Sequence, residues 1–311
     1  MHERKKPSEK PLFSIIIPAY NYAHTLERAI RSVLNQNSNK FELLVINDGS
    51  KDNTTETLKG LQKKLTDTFR VINQCNKGQS AVRNLGIKET SGEYLIFLDA
   101  DDELAENALK NLETFIKEHK NTDVIIGAHI SVTPEGIQRY RPRLPLPLDP
   151  EERFKKYLIK DEIPVSHGAS MMHRRVFDQY EYPEHFRCVE DIPVFAYVLA
   201  NFNCLALNKP IAKIHKHSAS MRHNVDRDLS IGLELVDEIF SNGRIPENMM
   251  KYKSSYTVLR LLSLSRSLYA AGRYNESISY YCNAIKLSPS ALLHLSSLRK
   301  AIRSVIYYIF K

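Results

Sequence analysis

The sequence predicts an α/β fold in which helices cover both faces of a mostly parallel sheet, followed by a C-terminal α-helical region. Apolar runs alternate with helical patterns over the first 127 residues, and from about Arg227 onward only helical patterns occur. The runs are continuously apolar, which is typical of parallel strands buried on both faces. We therefore expect a flexible N-terminus at 1–11, an α/β domain at 12–225 and a basic helical region at 226–311.

Two strand–helix units predict the first part of the sheet. A β-branched run at 13–17 ends at a proline, and the following segment, 25–36, carries apolar residues at helical spacing. A second apolar run at 41–46 ends in Asn47-Asp48-Gly49-Ser50, a strong turn signal, before a helical pattern at 52–65. A helix between two strands is the usual connection of parallel neighbours, so these two strands are predicted to be parallel.

The same alternation continues for three more strands. Strands at 69–73, 94–98 and 123–127 are separated by helical patterns at 80–90 and 104–119. In parallel sheets, ligands bind beyond the carboxyl ends of the strands. The polar clusters after the first, second and fourth strands therefore predict a site at that edge.

The composition excludes several classes of protein. With 311 residues, 42% of them hydrophobic and 26% charged, the chain is neither disordered nor collagen-like nor a disulfide scaffold. The four cysteines form no CxxC pair, and neither the GxGxxG nor the GxxxxGK[ST] pattern occurs, which disfavours zinc ribbons, dehydrogenases and P-loop NTPases. No apolar run reaches the roughly 18 residues of a membrane span or follows the charged N-terminus as in a signal peptide. We expect a cytoplasmic protein.

Positive charge is concentrated in the C-terminal region. The net charge is +8, and residues 240–311 contribute eleven Lys or Arg against two Glu, so the rest of the chain is close to neutral. Residues 261–289 match the spacing of one tetratricopeptide helix pair, for which a packed helical hairpin is the simpler interpretation. An apolar stripe follows, flanked by basic residues: Leu292, Leu295, Leu298, Ile302, Val305 and Ile309. Two hypotheses remain open for this helix: it contacts an anionic membrane, or it packs on its own domain.

Three acidic features at predicted strand or helix ends could carry chemistry. Asp48 can accept a hydrogen bond from a base N–H or a sugar hydroxyl, or it can cap a turn. Asp99, Asp101 and Asp102 repel one another, and a bound Mg²⁺ or Mn²⁺ would remove that repulsion, so we favour a metal site over a helix cap. Glu190-Asp191 precedes a helical run, where one carboxylate could act as a general base or cap the helix.

Three basic or polar segments could meet an anion or a metal. The segment 77–84 begins a helix with a glycine and nearby cations, which favours anions. The polar segment 215–220 contains two histidines, and either could supply a nitrogen ligand to a metal. A proline- and arginine-rich stretch at 139–150 is predicted to be an extended surface connection or a lid.

Taken together, these motifs resemble glycosyltransferase family 2, the inverting enzymes of GT-A fold. The motifs occur in the family's order, and the resemblance covers about residues 12–224. The matching segments are Pro18-Ala19-Tyr20-Asn21, Asn47-Asp48-Gly49-Ser50, Asn76-Lys77-Gly78 with Arg83-Asn84-Leu85-Gly86, Leu98-Asp99-Ala100-Asp101-Asp102, and Glu190-Asp191. The processive members' Gln-x-x-Arg-Trp motif is absent, since the chain has no tryptophan, so we expect one sugar to be added per encounter.

The resemblance implies that several of these residues bind the nucleotide sugar. Pro18, Ala19, Tyr20 and Asn21 would shape the nucleotide pocket, and Asp48 would accept from the uracil N–H. Lys77 or Arg83 would lie near the diphosphate. Ala100 and Glu190 would belong to the same substrate site.

The resemblance also implies the metal and catalytic residues. Asp99 would contact the ribose or the metal, and Asp101 would be the main ligand of Mn²⁺ or Mg²⁺. His215 would lie on the metal or the diphosphate, with His217 as the alternative. Asp191 would be the catalytic base.

The function implied is metal-dependent, inverting transfer of a sugar from a nucleotide sugar, with UDP as the expected nucleotide, to a saccharide or lipid-linked acceptor. Surface polysaccharide or lipopolysaccharide biosynthesis at the inner face of the cell membrane is the expected setting. A sugar-nucleotide pyrophosphorylase would need a glycine-rich loop after the first strand, which Pro18-Ala19-Tyr20-Asn21 is not. The remaining alternative is an inactive GT-A-like scaffold that binds a partner through its helical region. The basic region shows no nucleic-acid reader motif, so no nucleic acid is expected.

Overall fold

The central sheet has nine strands in a computed structural model of the protein, which describes residues 10–187, 189–216, 225–241 and 243–309. The strands are β1 (Phe13–Ala19), β2 (Phe41–Asp48), β3 (Arg70–Gln74), β4 (Tyr94–Phe97), β5 (Glu103–Leu104), β6 (Val124–Val132), β7 (Gln138–Arg141), β8 (Ser170–His173) and β9 (Cys204–His215). The helices are α1 (Leu26–Leu34), α2 (Thr54–Lys64), α3 (Gln79–Glu89), α4 (Ala108–Glu118), α5 (Pro150–Leu158), α6 (Asp191–Asn201), α7 (Val225–Ile231), α8 (Glu234–Ile239), α9 (Lys253–Ala270), α10 (Tyr274–Leu287) and α11 (Leu295–Ile309).

The strand order is β3-β2-β1-β4-β8-β6-β9-β5, with β7 paired to β6. Strands β1 to β4 are parallel neighbours, as predicted, and β6 pairs in parallel with β9. Pairings of β8 with β4 and β6, of β7 with β6 and of β5 with β9 are antiparallel. The predicted α/β class is confirmed, whereas the parallel order holds only for the N-terminal part, and the complete sheet is mixed. The short strands cause this: β8 enters between β4 and β6 in the opposite direction, and β7 and β5 pair antiparallel to β6 and β9.

The longest strand, β9, is absent from the sequence prediction. Asn208, Lys209 and Pro210 interrupt its apolar run, so neither strand nor helix periodicity is visible there. In the structure, Pro210 lies where the register with β6 shifts, between Gly127 and His129. Proline lacks an N–H and is tolerated in sheets at such bulges.

Helices lie on both faces of the parallel strands. Ile15 and Ile17 of β1 belong to a core cluster that also contains residues of α1, α2 and α4. On the opposite face, Gly86 of α3 packs against Ile16, and a Cβ placed on that glycine would lie 2.6 Å from Ile16 Cγ2. Helices on both faces of the sheet, as predicted, are thus observed. Because Gly86 has no side chain, α3 can approach β1 closely.

The chain divides into two compact units. One comprises Met1–Leu148, Val165–Val194 and Phe202–Ser218, and the other comprises Asp149–Pro164, Phe195–Asn201 and Ala219–Lys311. The predicted boundary at residue 225 stays a prediction. Residues 1–9 of the predicted flexible N-terminus lie outside the part of the chain that the structure describes.

The second unit contains α9, α10 and α11, which share a small core of Val258, Leu261, Leu262, Tyr281, Ala284, Ala291 and Ala301. Helix α11 buries a face of small residues, Ser297, Ala301 and Ser304, and Ser304 Oγ lies 3.5 Å from Ser277 Oγ of α10. Of the predicted apolar stripe, Leu298 packs against this core, whereas Leu295 is 61% exposed and Ile302 51%. The side chain of Ile309 lies outside the described residues. Among the described helices, none is both long and apolar enough to cross a lipid bilayer.

The contact between α3 and β1 generates a stability prediction. Gly86→Ala places a methyl group against Ile16, so we expect the free energy of unfolding to fall by about 1–3 kcal/mol. Gly60→Ala in α2 is the matched control, because nothing lies within 4 Å of its Cβ position. There, helix propensity should raise stability by up to about 1 kcal/mol. Urea unfolding of both variants measures the difference, and equal effects would contradict the packing described.

Candidate active site

The candidate site lies where the parallel strands β1, β2 and β4 end. The loops after β1 and β2 are tied together by Asn21, whose N–H donates to Ser50 Oγ at 3.0 Å and whose Oδ1 accepts from the Lys51 N–H at 2.8 Å. Asn21 has φ +61°, a left-handed conformation that asparagine tolerates better than most residues. Tyr20 beside it is 39% exposed. The predicted nucleotide motif Pro18-Ala19-Tyr20-Asn21 therefore forms a fixed rim at the sheet edge.

Asp48 ends β2 and organises the segment that leads into α3. Its Oδ1 accepts from Gln74 Nε2 at 2.7 Å and from the Lys77 N–H at 2.8 Å, and its Oδ2 accepts from the Gly78 N–H at 2.8 Å. Only 4% of the residue is exposed. Because a carboxylate oxygen has two lone pairs, Oδ2 keeps the capacity for one further donor.

The start of α3 depends on a glycine conformation. Gly78 precedes the helix with φ +93°, a backbone conformation that L residues rarely adopt. Lys77, one of the residues predicted to meet the diphosphate, is exposed beside it. The loop therefore holds its two backbone N–H groups on Asp48 while the Lys77 side chain remains at the surface.

Three carboxylates converge after β4, as the sequence predicts. Oxygens of Asp99, Asp101 and Asp102 all lie within 4.8 Å of one another. Ala100 between Asp99 and Asp101 is buried. Hard oxygen ligands in this number suit Mg²⁺ or Mn²⁺, so the residues present fit the predicted metal.

The negative charges of these carboxylates shift the pKa values of neighbouring groups. Burial first, and then the negative charge of Asp99, raise the pKa of Asp102 to about 8, although the His215 N–H donates to its Oδ1 at 2.8 Å. Burial and the nearby Asp101 and Asp99 also raise the pKa of the Tyr22 hydroxyl. A divalent cation bound at these carboxylates would oppose both shifts.

The His215 ring contacts a fourth carboxylate, that of Glu103. Its Nε2 lies 2.7 Å from Glu103 Oε1, and Arg28 Nε lies 3.6 Å from the same oxygen. The contact of His215 with the acidic cluster is therefore through its backbone N–H to Asp102. His217, the alternative ligand, lies outside the described residues.

Arg83 joins the acidic cluster to the second acidic motif. Its side chain is 3% exposed, and its NH1 donates to Glu190 Oε1 at 2.9 Å while its NH2 lies 3.8 Å from Asp99 Oδ1. Burial opposes the charged form, but Glu190, Tyr182 and Asp99 together outweigh it, and the pKa of Arg83 is raised. One guanidinium thus holds Asp99 and Glu190 on the same site.

A buried aromatic platform supports Arg83. Its guanidinium lies 5.4 Å from the centre of the Tyr182 ring, and the Tyr182 hydroxyl lies 2.9 Å from His167 Nε2. The Asn84 side chain fixes Tyr182 through two 2.9 Å hydrogen bonds to its backbone. Sequence reasoning missed His167 and Tyr182, because they come from a region without clear periodicity. The sequence signal that could have indicated this platform was Asn84, which follows Arg83 in its motif and bonds to the Tyr182 backbone.

Asp191 begins α6, directly after Glu190. Burial first, and then the charge of Glu190, raise its pKa to about 6, while Arg83 opposes the rise. The residue is half-buried, so its carboxylate is shielded yet not sealed from solvent. A carboxylate with a pKa near neutrality is suited to receive a proton.

The sequence profile of glycosyl transferase family 2 matches residues 14–181, more than half of the chain. The chain belongs to this family. The predicted enzyme class, a glycosyltransferase, is therefore confirmed at the level of the family. The match contains every predicted site residue from Pro18 to Asp101 and ends before Glu190.

Curated relatives of this family 2 chain include the poly(ribitol-phosphate) β-N-acetylglucosaminyltransferase TarP of Staphylococcus aureus. It is 42% identical over 119 residues, which are 37% of this chain and 36% of TarP. The chain spans between about a quarter and a half of the length of the first curated relatives that it matches.

Solved structures resemble this family 2 chain over nearly its whole length. The crystal structure of residues 1–349 of S. aureus TarS with UDP-GlcNAc has a TM-score of 0.67 and 21% identity, covering 94% of this chain and 88% of TarS 1–349. The mannosyltransferase PcManGT of Pyrobaculum calidifontis, with GDP-Man and Mn²⁺, has a TM-score of 0.56 and 16% identity, covering 96% of this chain and 84% of PcManGT. These likenesses concern the fold, and the predicted GT-A architecture is confirmed.

The bonding of Asp48 generates a prediction about the nucleotide rim. In Asp48→Asn, the amide NH₂ would face an N–H donor, so we expect the free energy of unfolding to fall by about 1–3 kcal/mol. Hydrogen exchange at the Lys77 and Gly78 amides should accelerate with it. Asp67→Asn, at an exposed turn with φ +56°, is the control and should stay within about 0.5 kcal/mol of the parent. Unchanged protection of both amides would show that Asp48 does not hold this loop.

Proposed function

We propose that the chain transfers a sugar from a UDP-sugar to a saccharide or lipid-linked acceptor, with metal dependence and with inversion at the anomeric carbon. The observation that carries this proposal is the position of Arg83, which contacts Asp99 of one acidic motif and Glu190 of the other. A metal-binding edge and a general base are thereby held beside each other. That is the arrangement that displacement of a nucleoside diphosphate by a hydroxyl group requires.

The chain's own residues have defined tasks in this proposal. Asp191 accepts the proton of the acceptor hydroxyl. In the same step, the oxygen of that hydroxyl forms a bond to the anomeric carbon. The bond from that carbon to the diphosphate oxygen breaks on the opposite face, and the single in-line step inverts the centre. The rim around Asn21 and Asp48 holds the nucleotide. Arg83 fixes the distance between the two acidic motifs and opposes the charge of Glu190 next to Asp191.

The metal in this proposal is Mn²⁺ or Mg²⁺, held by Asp99 and Asp101, with His215 as a further predicted ligand. When bound, it neutralises negative charge that grows on the leaving diphosphate. The convergence of three carboxylates and the raised pKa of Asp102 support it. The Mn²⁺ bound with GDP-Man in PcManGT is a precedent on the same fold.

The proposed donor nucleotide and setting draw on the relatives. TarS is seen with UDP-GlcNAc, and TarP is named for transfer of N-acetylglucosamine to poly(ribitol phosphate). A further relative in Bacillus subtilis is a minor teichoic acid biosynthesis protein. We therefore propose a UDP-sugar donor and a role in assembly of a cell-surface polysaccharide or polyol-phosphate polymer.

The direct test is nucleotide release from a panel of UDP-, GDP- and dTDP-sugars. We expect slow release from a UDP-sugar in Mn²⁺ and loss of release in EDTA. Asp101→Asn should reduce it at least about 100-fold, because the main predicted metal ligand is removed. Absence of both release and metal-dependent UDP binding would favour an inactive scaffold instead.

The raised pKa of Asp191 gives the pH dependence. Since the carboxylate form accepts the proton, the rate should fall about tenfold per pH unit below pH 6 and level off above it. Asp191→Asn should abolish transfer, whereas Asp178→Asn, at an exposed position, should keep both rate and profile. Single-turnover rates between pH 5 and 8 measure this, and a flat profile would remove Asp191 from the role of base.

We propose further that α11 contacts anionic lipid at the inner face of the cell membrane. Five of the eleven C-terminal cations are ion-paired within their unit (Arg244, Lys251, Lys253, Arg260 and Arg273). Arg299 and Arg303 of α11 are exposed and form no ion pair with a described residue. They lie next to exposed Leu295, Ile302 and Ile306, so the helix presents apolar and basic groups on one side.

Flotation with phosphatidylglycerol vesicles tests this contact. The wild type should float, and salt should weaken the binding because part of it is electrostatic. Ile302→Glu should reduce the bound fraction about tenfold, since it removes apolar burial and adds a repelled charge. Gln62→Glu on α2 adds the same charge elsewhere and should float like the wild type. Equal flotation of the two variants would exclude α11 as the contact.

A further inference from the structure

A cluster of cations lies on the hairpin of β6 and β7 and on the adjoining end of β9. His129 is directly opposite Arg141, and Ser131 is opposite Arg139. Ser131 is also opposite Ile214 of β9, and Lys216 continues that strand, its N–H donating to the Val132 carbonyl. Residues opposite each other, and residues two apart along a strand, share one face of a sheet. His129, Arg139, Arg141 and Lys216 therefore lie on one face, which we call the hairpin face.

The positive charge of the hairpin face is not neutralised. Arg139, Arg141 and Lys216 are exposed, and none of them forms an ion pair with a residue that the structure describes. Between residues 124 and 148 the sequence has a single carboxylate, Glu135, in the turn of the hairpin. Burial, and then the positive charges of Arg143, Arg141 and Lys216, lower the pKa of His129, which agrees with cations gathered around it.

Protection of a sheet edge does not account for this cluster. Charged residues on an edge strand prevent pairing between sheets, and β7 pairs only with β6 among the described strands. Arg139 and Arg141 lie on this edge strand, whereas Lys216 follows β9, which has partners on both sides. Arg139, Arg141 and Lys216 place three positive charges on one face without a carboxylate between them, so this face is suited to an anionic ligand.

The hairpin face begins next to the candidate active site. Lys216 follows His215, whose backbone N–H donates to Asp102 of the acidic cluster. Arg139 and Arg141 continue the positive charge outward along β7, about 7 Å apart, the distance that two residues span in a strand. A row of spaced cations matches an anion that repeats along a chain better than it matches a single headgroup.

We propose that the hairpin face binds an acceptor polymer that carries repeated phosphate groups and leads it toward Asp191. The inference rests on the proposed function and adds the surface that binds a phosphate-bearing acceptor. The cations of the hairpin face hold the polymer at the margin of the acidic cluster.

Binding of fluorescently labelled inorganic polyphosphate, followed by anisotropy, tests the proposal. The wild type should bind polyphosphate, with competition by unlabelled polyphosphate but not by neutral dextran or by orthophosphate at equal phosphate concentration. The triple variant Arg139→Ala/Arg141→Ala/Lys216→Ala should bind at least about tenfold more weakly. Its slope of log K against log salt should be smaller by about 2, as expected for three lost phosphate contacts.

Two control variants separate this site from general attraction. Lys59→Ala/Lys63→Ala/Lys64→Ala removes three exposed cations from α2 and should bind polyphosphate like the wild type. Arg139→Lys/Arg141→Lys keeps the charge and should retain most of the affinity. Urea unfolding of every variant, together with the single variant Arg141→Gln, ensures that a folding defect is recognised.

Equal binding by the wild type and the triple variant, or equal loss in the α2 control, overturns the proposal. If the wild type releases UDP in Mn²⁺ but binds no polyphosphate, the hairpin-face proposal is wrong and the proposed function stands. Absence of UDP release and of UDP binding instead overturns the proposed function. Loss of vesicle flotation in the triple variant, with polyphosphate binding unchanged, would assign the cations to lipid and also overturn the proposal.

Discussion

Arg83 keeps a full positive charge although its side chain is 3% exposed, and the arrangement of the site follows from compensating that charge. Glu190 supplies the nearest negative group, Asp99 a second, and the Tyr182 ring lies against the guanidinium. Removing one partner of such a pair would leave an uncompensated buried charge, which is costly. The two acidic motifs are thereby held together, although they are about ninety residues apart in the chain.

Asp48 holds the loop before α3 in place, just as Arg83 holds the two acidic motifs together. A buried carboxylate that accepts two backbone N–H groups fixes a loop without a longer secondary-structure element. The result is a rigid rim on one side of the site and a dense negative cluster on the other. Burial and the neighbouring Asp99 raise the pKa of Asp102 in that cluster, and a metal-bound diphosphate is the partner that we propose for it.

Charge is distributed differently in the two compact units. In the C-terminal unit, carboxylates such as Asp228, which pairs with Arg260, neutralise much of the positive charge. The exposed cations of α11 lie beside apolar side chains. On the hairpin face, cations accompany polar backbone and no carboxylate except Glu135. The first combination suits a lipid surface and the second a hydrated polyanion, so net charge alone does not distinguish these partners.

The sequence by itself determined the strands β1 to β4, their helices and the acidic motifs, because continuous apolar runs and turn residues act locally. It also determined the family, since five motifs occur in a fixed order. Only the tertiary structure decided that Arg83 pairs with Glu190, that the His215 ring contacts Glu103, and that β9 is a strand in spite of Pro210. The two side-chain contacts join residues that are distant in the chain. Strand β9 forms because it pairs with β6, where a bulge accommodates Pro210. For the same reason α11 buries serine and alanine while Leu295, Ile302 and Val305 of its apolar stripe stay exposed, because the shape of the surface beneath a helix selects the face that packs.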